Sequence, residues 1–361
     1  MGKLEDLRSE IDALDDRILA MLEQRAGIVM HVAEAKRDAG CLTFHDPERE
    51  RHVIDRLMAK GAGRFPRDAI RSVFREIMSG CLSIEQPVSI SFLGPEATFS
   101  HMAARHLFGL AARYREATTI EGVFDTVRRG DAQYGVVPFE NSSEGSVTFT
   151  LDALIEGGLF IRQEAVLPVS LCLLSRAAGL TKIERVYSHP QPLGQCRMWL
   201  AKNLPGCQIV QTTSTSAAAR EALEDDRAAA VASKLAADLY GLNVLRDGIQ
   251  DREENATRFV VIAREDAPRT GDDKTSLVFS LPNAAERGAL KRVLEVFDRC
   301  EINLTRIESR PKGQKAWEYI FLADLEGHRI DRGIASAVAE LGKMCDMVKV
   351  LGSYPKSSPG C

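Results

Sequence analysis

The chain has 361 residues, 45% of them hydrophobic and 27% charged, with a formal net charge of -4. That length holds two or three domains, and the charge balance excludes the basic footprint of a nucleic-acid binder. The longest apolar stretch, residues 165–174, is too short to span a bilayer and contains Pro168. No basic leader followed by an apolar run opens the chain. Eight scattered cysteines without a CxxC pair, and seven histidines without metal-ligand spacing, predict reduced thiols in the cytoplasm and no metal or cofactor.

Residues 1–86 read as all helix. Leu4, Leu7, Ile11, Leu14, Ile18, Met21, Arg25, Ile28 and Val32 follow 3-4 spacing, so a helix is predicted from about Leu4 to Asp38 with this seam facing other helices. Arg25 is the one charge in the seam. A buried charge without a partner costs about 3–5 kcal/mol, so the seam predicts an anion at Arg25. A second helix is expected at Asp46-Pro47, an N-cap followed by proline, and a third near Pro66. One helix pair cannot cover so long a seam, which predicts a homodimer or higher homo-oligomer. Arg8 lies about 25 Å along the helix from Arg25, so only Arg8 of a second copy could share a small ligand with it. Lys36 lies on nearly the same face as Arg25. Asp46 and Glu50 share a face beside Arg49, and Glu85 follows Cys81 on the apolar side of the third helix. These charges could cage a small dianion. Without a ligand, they read as snorkelling side chains and surface ion pairs.

Ser83–Pro87 marks a boundary. Beyond it, short apolar runs at 88–93, 134–137, 171–174, 185–187, 209–212, 228–231 and 259–262 alternate with helical stretches, which predicts an α/β region over 88–265 with mostly parallel strands. Three strand-to-helix turns, at 92–100, 135–146 and 213–216, are rich in Gly, Ser and Thr, as anion-holding turns are and as plain N-caps are too. A second linker is expected at Ala267–Asp273. The βαββαβ pattern over 275–355 predicts a ferredoxin-like α+β domain.

The motifs carry resemblances along nearly the whole chain. Leu7-Arg8, Glu23-Gln24-Arg25, Ala35-Lys36 and Asp46-Pro47-Glu48-Arg49-Glu50 resemble the all-helical class of chorismate mutase. That resemblance implies that Arg8 (from a second copy) and Arg25 hold the carboxylates of chorismate. It gives Lys36 and Glu85 the ether oxygen, the ring hydroxyl to Glu50 with Asp46, and an orienting role to Arg49. A carboxyl donates only when protonated, so Glu85 is expected to have a raised pKa.

Gly135–Val147, Val186–Pro192 with Gln195-Cys196, and Ile249–Asp251 with Asn255–Phe259 resemble prephenate dehydratase. The implied fold is two α/β lobes like the periplasmic solute-binding proteins, with the site between them. The implied proton donor is Thr257, with Glu140 as a candidate partner. Asn141, Ser142, Ser188, Gln195 and Arg258 are the implied substrate-site residues, and Ala97 stands where that family commonly has Gly.

Gly288-Ala289-Leu290 and Glu308-Ser309-Arg310-Pro311 resemble an ACT-type module that binds phenylalanine, with Lys291 replacing the usual Val. Together the resemblances imply an enzyme of phenylalanine biosynthesis. It would convert chorismate to prephenate and then to phenylpyruvate, with phenylalanine feedback and no cofactor, nucleic acid or membrane partner. The competing readings are a non-catalytic solute receptor with a regulatory tail, and a dehydratase whose helices only dimerise. A dehydrogenase fusion is disfavoured because no GxGxxG turn appears.

Overall fold

The computed structural model describes residues 2–39, 45–60, 63–143, 145–252, 254–282, 286–311 and 319–357. The chain divides into two compact units: 1–89 with 108–113, and 90–107 with 114–361. Among the described residues no helix is long and apolar enough to cross a membrane.

The first unit contains α1 (Gly2–Asp38), α2 (Pro47–Lys60) and α3 (Arg67–Glu85). Asp46 starts α2: its Oδ1 accepts from Arg49 N at 3.0 Å, and Pro47 fits the first turn because no N–H is needed there. The predicted seam exists but is uncovered within one chain. Leu4, Leu7, Ile11, Leu14 and Ile18 are all about half exposed or more, and Ala33 is the one buried residue of α1. The unit does not end at the predicted boundary. Ser79 Oγ donates to Phe108 O at 2.7 Å, and Glu76 Oε2 accepts from Leu110 N at 2.9 Å, which ties residues 108–111 to α3. Gly109 sits at φ +71, and a Cβ there would stand 2.4 Å from Ser79 Cβ, so only glycine fits.

The second unit begins with a lobe built from β1 (Ser89–Leu93), α4 (Phe99–Phe108), β2 (Arg113–Ala117), α5 (Ile120–Arg128), β3 (Tyr134–Asn141), β4 (Gly145–Ser146), α6 (Thr148–Glu156) and β5 (Phe160–Pro168). The chain then crosses to a second lobe. It holds β6 (Cys172–Ser175), β7 (Arg185–Ser188), α7 (Pro190–Gln195), α8 (Arg197–Asn203), β8 (Gln208–Gln211), α9 (Thr215–Leu223), β9 (Ala228–Ala232), α10 (Lys234–Tyr240) and β10 (Asn243–Arg246). The strand β11 (Ala256–Ala263) returns to the first lobe. The sheet orders are β2-β1-β3-β11-β5, with β4 on β3, and β10-β6-β9-β7-β8.

The expected parallel bias is corrected. β1/β3, β7/β8 and β7/β9 are parallel, but β11 runs antiparallel to both neighbours, and β6/β9 and β10/β6 are antiparallel too. The double crossing between lobes forces this, because the returning strand enters its sheet from the far end.

The remainder is β12 (Asp273–Ser280), α11 (Ala289–Arg299), β13 (Leu304–Pro311), β14 (Tyr319–Glu326), α12 (Arg332–Met344) and β15 (Met347–Pro355), with an antiparallel sheet ordered β13-β14-β12-β15. The expected strand start at Trp317 lies outside the described residues. This module is not a bead on a linker. Val278, Ile320, Leu322, Leu351 and Tyr354 share one buried core with Val137, Phe139, Ile161 and Val260 of the first lobe. Gly352 permits the approach: a Cβ there would lie 2.2 Å from Ile161 O. Asp273, at the end of the expected linker, is buried and accepts from Thr270 N and Gly271 N.

Candidate functional site

In the helical unit the charged residues converge along α1, α2 and α3. Lys36 Nζ lies 3.5 Å from Glu85 Oε2, and Arg37 donates to Glu85 O at 3.2 Å. Arg25 Nη1 meets Cys81 Sγ at 2.6 Å. Glu50 is the carboxyl that burial acts on: its pKa is pushed up to about 7 by burial and then by Asp46, against Arg75 and Arg25. The anion expected near Arg25 is thus Glu50, sensed through charge, while the direct contact is a cysteine. Arg8 is exposed and Arg49 points to solvent in the single chain. His45, which the motifs did not single out, is buried against Phe108, with Nε2 3.7 Å from Glu50 Oε1. Its place just ahead of the Asp46 cap is where a packing residue often sits, and that was the available signal.

Between the two lobes lies a cleft of about 520 Å³. Asn141, Gly145, Ser146 and Thr257 line it from the first lobe, and His189, Gln191, Gln195 and Thr213–Thr215 from the second. Asn141 and Thr257 are register partners across β3 and β11. Asn141 Nδ2 donates to Thr257 Oγ1 at 2.9 Å and to Asn255 Oδ1 at 3.1 Å, while Asn141 Oδ1 accepts from Ser143 N at 2.9 Å. The Asn141 amide is therefore committed within the protein. Thr257 Oγ1 accepts from it, which leaves the hydroxyl hydrogen free to point elsewhere. Asn255 completes the pair and was not assigned a role from sequence. Strand parity was the signal, since residues two apart share a face.

The other expected residues fall differently. Ser142 Oγ accepts from Ala256 N and donates to Glu254 O, so it staples the end of β3 to the entry of β11. Ser188 is fully buried and donates to Val231 O at 2.6 Å. Arg258 lies on the opposite face of β11 from Thr257. Its Nε donates to Glu164 Oε2 at 2.7 Å, Nη1 to Asp324 Oδ2 at 2.6 Å and Nη2 to Tyr354 Oη at 2.7 Å. Burial opposes charge on Glu164 and Asp324, yet Arg258 holds both carboxyls below their usual range. Glu140 does not reach Thr257 by any described hydrogen bond. Its Oε2 lies 3.1 Å from Arg306 Nη1 and 3.6 Å from Arg258 Nη1.

In the C-terminal module, Gly288 takes φ +79 ahead of α11, with Ala289 and Leu290 in its first turn. Glu308 Oε2 accepts from Ser146 Oγ at 2.7 Å and from Arg306 Nη2 at 2.6 Å. Arg310 donates to Asp152 and to Thr148 O. Ser309 points the other way, and Pro311 pairs with Tyr319 at the strand's end.

A three-helix unit with charged residues among its helices, followed by a two-lobed unit with a polar cleft, fits an enzyme with two separate sites in one chain. The Prephenate dehydratase family matches residues 90–267, and the Chorismate mutase type II family matches residues 7–86. A bifunctional chorismate mutase/prephenate dehydratase of Aquifex aeolicus is 46% identical over 361 residues, covering 99% of each chain. A prephenate dehydratase of Arthrobacter aurescens, solved with L-Phe, is 39% identical with a TM-score of 0.68, covering 76% of this chain and 92% of its own. A quorum quenching acylase, GqqA, is 31% identical with a TM-score of 0.67, covering 74% of this chain and 98% of its own. The chain belongs to the bifunctional chorismate mutase/prephenate dehydratase family. It is an enzyme with both activities, and the solute-receptor and dimerisation-only readings are set aside.

Proposed function

We infer that Thr257 is the proton donor of the dehydratase, with Asn141 as the residue that aims it. The carrying observation is the register pair, with Asn141 Nδ2 2.9 Å from Thr257 Oγ1. As the ring carboxylate leaves as CO2, the electrons of that C–C bond form a ring double bond. The ring C–OH bond breaks, and its oxygen takes the Thr257 proton and departs as water. Thr257 recovers a proton from solvent, and the product is the aromatic phenylpyruvate. Aromatisation supplies the driving force, so the protein has mainly to orient and protonate. Arg197 and Arg252 line the adjoining pocket, which shares Gln191 and Gln195 with the cleft. Within the cleft, the substrate carboxylates are met by Gln195 and by the N–H groups at the start of α9, behind Ser214 and Thr215. Ser142 and Ser188 support this site through the backbone, and Arg258 supports it from the far face of β11. The acylase neighbour shows that this fold alone does not fix the chemistry. The full-length match to a mutase/dehydratase favours prephenate as substrate.

In the mutase, Arg25 and Arg8 of a second copy hold the two carboxylates of chorismate. Lys36 and Glu85 meet the ether oxygen that gains charge as its bond breaks. Glu50, with Asp46 and Arg49 beside it, takes the ring hydroxyl. The exposed seam of α1 supports a homodimer, because apolar surface on this scale is rarely left in water. The C-terminal module is read as an ACT-type, ferredoxin-like domain. It would bind phenylalanine through Gly288–Leu290 and Glu308–Pro311 and lower dehydratase activity. Its free thiols favour the cytoplasm. The test is turnover of chorismate and then prephenate by the purified chain, with and without phenylalanine. Two activities, the second falling with phenylalanine, are expected. Prephenate turnover that ignores saturating phenylalanine would refute the feedback reading.

A further inference from the structure

Arg306 belongs to the C-terminal module, yet its guanidinium reaches the hairpin that carries Asn141. It is largely buried. Nη1 lies 3.1 Å from Glu140 Oε2, and Nη2 donates to Ser146 Oγ at 2.6 Å and to Glu308 Oε2 at 2.6 Å. The guanidinium carbon stands 5.4 Å from the Phe139 ring centre. Glu140 and Ser146 are themselves a register pair across β3 and β4, and the next rung pairs Asn141 with Gly145. Arg306 thus holds both sides of the rung adjoining the one that positions Thr257, Glu140 by an ion pair and Ser146 by a hydrogen bond.

We propose that Arg306 is a positioning residue for the dehydratase, holding the β3–β4 hairpin so that Asn141 presents the Thr257 hydroxyl to the substrate. This rests on Thr257 being the proton donor. The fork geometry is what the task requires. A planar guanidinium can meet Glu140, Ser146 and Glu308 from one fixed position while lying against Phe139, which a lysine ammonium on a flexible stem cannot do. Without it, among the described residues Glu140 keeps Arg258 at 3.6 Å, and Glu308 keeps Ser146. The hairpin is then free to shift, and a displacement near 1 Å at a reacting group costs roughly a hundredfold in rate.

The test is steady-state kinetics on full-length Arg306→Ala and Arg306→Lys, alone and combined with Thr257→Ala, with mutase turnover of the same samples as the control for folding. Arg306→Ala is expected to lower dehydratase kcat by about 10- to 100-fold with KM changed less than about threefold. Arg306→Lys is expected to recover only part of that, with mutase turnover unchanged. In the Thr257→Ala background, Arg306→Ala should cost almost nothing further, because it acts through Thr257. Should the alanine chain fail to fold, Glu140→Gln loosens the same grip from the other side and is expected to lower kcat in the same direction. A kcat within threefold of the parent in Arg306→Ala, or in Glu140→Gln where it stands in, overturns the proposal. So does an equal loss with and without Thr257. If Thr257→Ala alone is near normal, the donor assignment itself has failed, which is a separate result.

Discussion

The helical unit leaves its apolar side chains in solvent, whereas the unit that follows closes over its own. Leu4, Leu7, Ile11, Leu14 and Ile18 line an open seam, while Val137, Phe139, Ile161 and Val260 are sealed by residues of the same chain. The same contrast holds for charge. Arg8 lies about 25 Å from Arg25 along one helix, too far to share a small ligand with it, whereas Arg258 finds Glu164, Asp324 and Tyr354 within one protomer. On the function proposed above, one site is completed by a second copy, and the other is complete in one chain. Disrupting association should separate the two activities.

The largest effect is expected from charging the seam. Ile11→Glu with Ile18→Glu keeps good helix formers on α1 but brings four carboxylates into a two-fold interface, each costing several kcal/mol if buried unpaired. Mutase turnover should fall to background while dehydratase kcat stays within about twofold. Substantial mutase activity in that variant would mean that the helical unit is complete alone, and the comparison would break. Next in size is Thr257→Ala, which removes a proton donor and should cut dehydratase kcat by about 10²- to 10⁴-fold while leaving the mutase intact. Thr257→Ser should recover most of the loss.

Much of this contrast was legible in the chain. The 3-4 spacing of Leu4 through Val32 gave away the helix and its apolar seam, because a seam is a local pattern. The strand β5 was missed for the opposite reason. Arg162, Gln163 and Glu164 interrupt any apolar run there, yet Arg162 and Glu164 are buried, since Asp266 O, Arg258 and Lys274 arrive from a hundred residues away. Long-range pairing of this kind leaves no local trace. Ala267–Asp273 looked like a linker by composition, although cores on either side of it are shared. Arg258 was placed at the substrate with Thr257 because both belong to the motif at 255–259 that carries the resemblance, yet neighbours on a strand face opposite ways. That alternation was readable and would have moved Arg258 off the substrate.

A smaller effect sharpens the helical side. Glu50 has a folded-state pKa of about 7 against an ordinary 4.5, caused first by burial and then by Asp46. The folded chain binds the extra proton between those values, so stability falls as pH rises through that window and levels off above about 7, by up to roughly 3 kcal/mol. The proposed role runs the other way. An ionised Glu50 accepts the substrate hydroxyl, so mutase kcat/KM should climb through pH 7, and Glu50→Gln should remove that limb. A wild-type limb centred near 5 would show that Glu50 is not held in the environment the structure gives it.

The smallest effect tests the self-contained side. Ala97 takes φ +67, a backbone region that glycine adopts freely and alanine does not. Glycine there relieves about 1–2 kcal/mol of strain. It also removes a buried methyl worth about 0.8 kcal/mol and loosens the unfolded chain by about 0.4–1 kcal/mol, so the sum is near zero. The loop itself is pinned by its backbone: Ala97 N donates to His101 Nδ1 at 3.1 Å, and Ala97 O accepts from Ser233 Oγ at 2.8 Å. Ala97→Gly should therefore shift stability by less than about 1 kcal/mol, measured by denaturant unfolding, and leave dehydratase kcat and KM within twofold. A larger loss of stability would mean that the Ala97 methyl, packed among Cys172, Leu174 and Ala218, contributes more than the strain costs. The commoner glycine of this loop would then be the poorer choice in this chain, because its second lobe has been built around the extra carbon.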